Sequence, residues 1–128
     1  MKNWILVLVA IVLVTAGCRS APIYNVTDSP IVVTSGKVAS ADEVKMAIMR
    51  AGTKLGWQMT EAQPGVVAAR IALRGNTAHA DVLYNTKTYS IVYRDSSGLE
   101  TPDGQIHKNY NGWIENLDRG IRTELLRQ

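Results

Sequence analysis

Val66-Val67-Ala68-Ala69-Arg70-Ile71-Ala72-Leu73-Arg74-Gly75-Asn76-Thr77-Ala78-His79-Ala80-Asp81-Val82-Leu83-Tyr84 is the stretch that decides the fold. In an extended chain successive side chains point to opposite faces, so Val67, Ala69, Ile71 and Leu73 share one side while Arg70 and Arg74 take the other. Gly75-Asn76 supplies a reversal. Beyond it Ala78, Ala80, Val82 and Tyr84 repeat the pattern against His79, Asp81 and Asn85. Two such runs around a short turn read as a hairpin.

Working outward, Asn85-Thr86-Lys87 turns the chain into a third run, where Tyr89, Ile91 and Tyr93 alternate with Ser90, Val92 and Arg94. On the other side, alternation starts at Trp57 and Met59 and breaks at Gln63-Pro64-Gly65, a turn. The economical arrangement is a four-stranded antiparallel meander.

Both flanks carry helical periodicity. Ser40 followed three residues later by Glu43 can satisfy free amides at a helix start by reciprocal hydrogen bonds. From there Val44, Ala47, Ile48, Ala51 and Leu55 form one apolar stripe that Gly52 weakens and Gly56 ends. Past the turn-rich Asp95-Ser96-Ser97-Gly98 and Thr101-Pro102-Asp103-Gly104, a last segment from about His107 aligns Tyr110, Trp113, Ile114, Leu117, Ile121 and Leu125. Burying such side chains contributes about 1.5–3 kcal/mol each, so both stripes need an apolar surface to cover. The expectation is an α+β domain over residues 40–128, its N-terminal and C-terminal helices packed on one face of the meander.

Residues 18–39 contain Pro22, Pro30, Gly36 and several Ser, Thr and Asn, a composition that reads as a tether with one short strand at Ile31 to Thr34. Weak alternation through Ile23, Tyr24 and Val26 allows a docked edge strand instead. Residues 1–17 have the layout of an export signal: a positive start at Lys2, an uncharged apolar run from Trp4 to Val14, then small residues at Thr15-Ala16-Gly17. That run is shorter than the roughly 20 residues a membrane-crossing helix needs. Cys18 is the single cysteine, so it forms no internal disulfide.

Val14-Thr15-Ala16-Gly17-Cys18 resembles the lipobox of bacterial lipoprotein precursors, with Thr15 where that pattern usually has leucine. The resemblance implies a diacylglyceryl thioether on Cys18, cleavage before it by the lipoprotein signal peptidase, and acylation, often palmitoylation, of the new amino group. In enterobacterial lipoproteins an Asp directly after the cysteine favours inner-membrane retention. Arg19 stands there instead, which implies an outer-membrane location facing the periplasm. The Tyr89 to Ser96 run together with Tyr110-Asn111-Gly112-Trp113 and Leu117 also resembles a group of small, functionally uncharacterised proteobacterial lipoproteins, over roughly residues 40–125. That likeness supports location and boundaries and transfers no activity.

The formal charge of +3 comes from basic residues scattered among acids, without the patch or run that marks a nucleic-acid binder, so no nucleic-acid partner is expected. Two distant histidines and one committed cysteine do not supply a metal-ligand set, and no phosphate loop or dinucleotide fingerprint occurs; no metal or cofactor is expected. His79, His107, Asp95 and Ser96 carry the residue types of a nucleophile-base-acid set, but no nucleophile motif surrounds them, and Asp95-Ser96 reads more simply as a turn. The segment from Ile106 to Leu117 interleaves amides with aromatics. Asp95, Ser96, His107, Asn109 and Asn111 are therefore a candidate binding patch for a small ligand or glycan, although Tyr110 and Trp113 fit the core stripe and Asn109 or Asn111 fits a helix cap. The leading expectation is a non-enzymatic interaction module, tethered to a membrane through Cys18, with an envelope protein or peptidoglycan as partner.

Overall fold

The computed structural model describes residues 19–128; the expected export signal of residues 1–17 and the expected lipidation at Cys18 fall outside the described residues. The chain is α+β, as the alternating and helical patterns require. Helix α1 spans Ala41–Lys54 and helix α2 spans Lys108–Leu126. Strands β1 (Ser20–Ala21) and β7 (Ile106–His107) form a small antiparallel pair. The main sheet holds β2 (Val26–Pro30), β3 (Gln58–Gln63), β4 (Val66–Leu73), β5 (Asn76–Tyr84) and β6 (Thr88–Ser97) in the order β2-β6-β5-β4-β3, all antiparallel.

The meander β3 to β6 follows the alternation read above. Val67, Ala69 and Ile71 on β4, Ala78, Ala80 and Val82 on β5, and Tyr89 and Ile91 on β6 are all buried in one core with the two helix stripes. The β4–β5 hairpin turns one residue earlier than expected. Arg74 and Gly75 both sit at positive φ, +53° and +81°, the conformation in which a two-residue loop matches the twist of its strands. Asn76 is thus already paired with Leu73. In the next connection Asn85 Oδ1 accepts the amides of Lys87 at 2.7 Å and Thr88 at 2.8 Å, a side-chain mimic of a turn.

The expected four-stranded sheet has a fifth strand, because part of the segment expected to be a tether pairs with β6. The strand is Val26–Pro30 rather than Ile31 to Thr34. Its stability comes from β6, whose outer row of backbone groups needs a partner, more than from its own composition. Val26 is buried opposite Ile91, and Asp28 at φ +49° kinks the strand at a bulge, where its amide donates to Ser90 Oγ at 2.9 Å. Pro30 is tolerated because β2 is an edge.

Strand β6 also runs further than expected. The register slips by one residue between His79 and Ala80, which pair with Asp95 and Tyr93, so Arg94 is the extra residue of a bulge. The bulge resets the alternation, and Asp95-Ser96-Ser97 continues as strand instead of turning.

Helix α1 carries the full capping box: Glu43 N donates to Ser40 Oγ and Ser40 N donates to Glu43 Oε1, both at 3.1 Å. Val44, Ala47, Ile48 and Ala51 are buried, whereas Leu55, at the cap, is exposed. In α2 the cap is His107, whose Nδ1 accepts the Asn109 amide at 3.2 Å, rather than Asn109 or Asn111. Tyr110, Ile114, Leu117, Ile121 and Leu125 face the core, with Trp113 half-buried at its margin. No helix among the described residues is long and apolar enough to cross a membrane.

Candidate functional site

The five residues of the expected patch separate into different structural roles. Asp95 lies on the outer, helix-free face of the sheet, and its Oδ1 is 2.6 Å from Nδ1 of His79, its cross-strand neighbour. Beside them Arg94 Nε donates to Asp81 Oδ2 at 3.1 Å, with a second guanidinium bond to Asp81 Oδ1. Ser96, one residue on, pairs with buried Ala78 and so takes the opposite side. Its hydroxyl is 2.8 Å from Tyr93 Oη and donates to Glu100 Oε1 at 2.9 Å. The Ser96 bond and the surrounding backbone amides hold Glu100 below the ordinary carboxylate range, the backbone contribution being the larger.

His107 and Asn111 are committed to architecture. His107 Nδ1 caps α2. Asn111 Nδ2 donates to Pro22 O at 2.9 Å, while its Oδ1 accepts the Tyr24 amide at 3.0 Å. Asn109 is exposed next to them. The imidazole that meets Asp95 is therefore His79, not His107, and the hydrogen-bond partners of Ser96 are Tyr93 and Glu100 rather than either histidine. Among the described residues no side-chain hydroxyl is hydrogen-bonded to His79 or His107. Among the described residues no three His, Cys, Asp or Glu side chains gather as a metal site.

Composition alone did not single out the charged seam between the helices. Gly120 on α2 faces Ala51 and Leu55 of α1, and the small residues let the helices approach. At this seam Glu124 is 4% exposed, yet three cations reach it. Lys54 Nζ lies 2.5 Å from Oε1, Arg50 Nε 3.3 Å from Oε2 and Arg127 Nη1 3.8 Å from Oε1. The Lys54 hydrogen bond holds the Glu124 carboxyl below its usual range against the opposing effect of burial. One carboxylate does not neutralise three cations, so the seam keeps a positive excess. It opens into a groove of about 330 Å³ lined by Leu55, Asn116, Arg119, Gly120, Thr123 and Arg127, among others. A spacing rule could have found Arg50 and Lys54 on one side of α1, but their meeting with Glu124 is tertiary.

A second concavity, of about 470 Å³, lies under the loop that joins β2 to α1, between Val32, Val38 and the lysines Lys37 and Lys87. The loop is fastened at two points. Ile31 N donates to Lys87 O at 2.9 Å, and Thr34 Oγ1 donates to Leu126 O at 2.6 Å.

Comparison with protein-family models, with curated proteins and with solved structures finds no match to the chain.

Proposed function

We propose that the chain is the precursor of a lipid-anchored envelope protein whose folded part is an interaction module rather than an enzyme. The observation that carries the reading is how near Cys18 in the chain the described fold reaches: Ser20, two positions after Cys18, is paired with His107 in β1–β7. Acyl chains on Cys18 would hold the body within about 7 Å of the lipid, since an extended chain spans at most 3.3–3.6 Å per residue. A module so held has a restricted orientation and a raised effective concentration toward anything in the same membrane, so weak contacts suffice.

Two features support interaction over catalysis. The polar groups that a hydrolytic site would need are engaged in holding elements together, as Asn111 and His107 are. The groove between α1 and α2 offers Arg119, Arg127 and Lys54 around small residues, a surface suited to an acidic segment of an envelope protein or to the carboxylates of peptidoglycan. Arg19 after the cysteine favours the outer membrane, facing the periplasm.

The test is the intact mass of the membrane-extracted protein beside Cys18→Ser. Loss of residues 1–17 with added acyl mass that Cys18→Ser abolishes is the expected result. A full-length, unmodified chain would overturn the reading.

A further inference from the structure

We propose that the loop from Ile31 to Ala39 is a second membrane contact, inserting Val32 and Val38 into the interface of the bilayer while Lys37 and Lys87 meet lipid phosphates. The orientation of the contact rests on the lipid-anchor reading above; the loop's own affinity for lipid does not.

Val32 is 60% exposed and Val38 81%, the two highest exposures among the large hydrophobic side chains of the described residues. Single exposed apolar residues are ordinary, but these two flank one open concavity and sit on one short loop. Among the residues around that concavity, Lys37 and Lys87 are charged and none is acidic. Neither lysine joins any ion pair among the described residues. Apolar tips ringed by unpaired lysines match an anionic bilayer surface: the valines enter below the headgroups, and the lysine stems lie along the apolar layer with their charges at phosphate depth.

Placement favours the same membrane that holds Cys18. The segment Ser20 to Thr34 is fastened to both ends of α2, by Ser20 to His107 and by Pro22 and Tyr24 to Asn111 near the start and by Thr34 to Leu126 near the end, with β2 paired to β6 in between. Helix α2 has 19 residues, about 28 Å at 1.5 Å per residue. Ser20 and Thr34 are thus held near opposite ends of α2. A bilayer lying along α2 would meet the chain next to Cys18 and the valine loop together. One acyl chain anchors only reversibly, and a second, electrostatically assisted contact is the kind of signal that makes attachment firm.

The experiment places a polarity-sensitive fluorophore on Val38→Cys in the full-length chain, with Thr60→Cys as the reference. Thr60 is exposed on β3, the sheet edge opposite β2. Both are measured in phosphatidylethanolamine vesicles with and without phosphatidylglycerol, and again in a Cys18→Ser background. Intact mass of the same preparations reports acylation of Cys18 separately. The expected result is an emission gain of about twofold or more at position 38 on anionic vesicles, none at position 60, and loss of most of the gain in Lys37→Glu/Lys87→Glu. A label at 38 that stays as water-exposed as the label at 60 overturns the loop contact, whatever the mass shows for Cys18. A gain in native envelope membranes that pure lipid does not reproduce assigns the loop to a protein or glycan and also overturns it. Acylation absent with the gain at 38 retained supports the loop contact while rejecting the lipid anchor.

Discussion

The side-chain amide of Asn111 receives the backbone amide of Tyr24 at 3.0 Å, joining the first turn of α2 to the chain that leads into β2. The same side chain donates to Pro22 O at 2.9 Å, so both halves of one amide hold one segment. Each such bond contributes about 0.5–1.5 kcal/mol net. Asn111→Ala is expected to cost about 1–2 kcal/mol in urea denaturation and to make the Pro22 to Tyr24 segment the first site of limited proteolysis. A variant as stable and as resistant as the parent would mean that β1 and β2 hold the segment without it.

Glu124 sets an acid limit on stability. Its carboxyl is held low by Lys54, so the folded state binds fewer protons at this site than the unfolded chain does, and stability rises with pH across that window. The contribution is fully present above the ordinary glutamate value of 4.5 and is lost as pH falls below it toward the folded value. Glu124→Gln is expected to lower stability at neutral pH by about 1–3 kcal/mol, because three cations lose their shared counter-charge, and to flatten the acid limb of a stability–pH curve. Denaturation midpoints measured between pH 3 and pH 7 check both parts.

Tyr110 gives a change of the opposite sign. Its ring meets that of Tyr93 edge-on, with centroids 5.3 Å apart, and its hydroxyl is buried with no hydrogen-bond partner among the described residues. Burial pushes its ionisation well above the ordinary tyrosine range. Tyr110→Phe keeps the edge-on packing and removes the unpaired hydroxyl, so a gain of about 1 kcal/mol is expected in the urea midpoint. A loss instead would reveal a buried water bonded to that hydroxyl.

The capping box is a local check on α1. Ser40→Ala removes the acceptor of the Glu43 amide and is expected to cost about 1 kcal/mol, with faster amide exchange confined to the first turn of α1. Exchange that quickens throughout the protein would show that the helix start is coupled to the whole core.

Legibility in the sequence followed the range of the interactions. In β4, β5 and β6 each inward position repeats an apolar type, so period two was visible without any partner, and the α2 stripe was visible for the same reason. Strand β2 was visible only as the weak alternation through Ile23, Tyr24 and Val26, because Val-Thr-Asp-Ser-Pro buries one apolar side chain, and Asp28 and Pro30 are turn residues by composition. What makes it a strand is the free side of β6, more than fifty residues further along the chain. Asp95-Ser96 read as a turn because the bulge at Arg94 breaks the alternation just where the polar residues begin. The candidate patch suffered likewise. Nearness in sequence grouped Asp95 with Ser96, yet strand geometry sends them to opposite faces and gives Asp95 to His79. The Glu124 seam needed two helices to be docked before it existed.

The fastening of the leading segment also fixes when the molecule is finished. The meander can assemble from neighbouring hairpins, whereas Asp28 to Ser90, Tyr24 to Asn111 and Thr34 to Leu126 close separations of 62, 87 and 92 residues. Closing loops that long costs more chain entropy than closing the hairpins, so β2 is expected to join after the meander has formed. Until then the outer row of β6 stands open to any extended chain nearby. The segment from Ser20 to Thr34 thus does its work as a cover: it takes the exposed row of β6 and leaves a short, kinked, proline-bearing strand as the edge in its place.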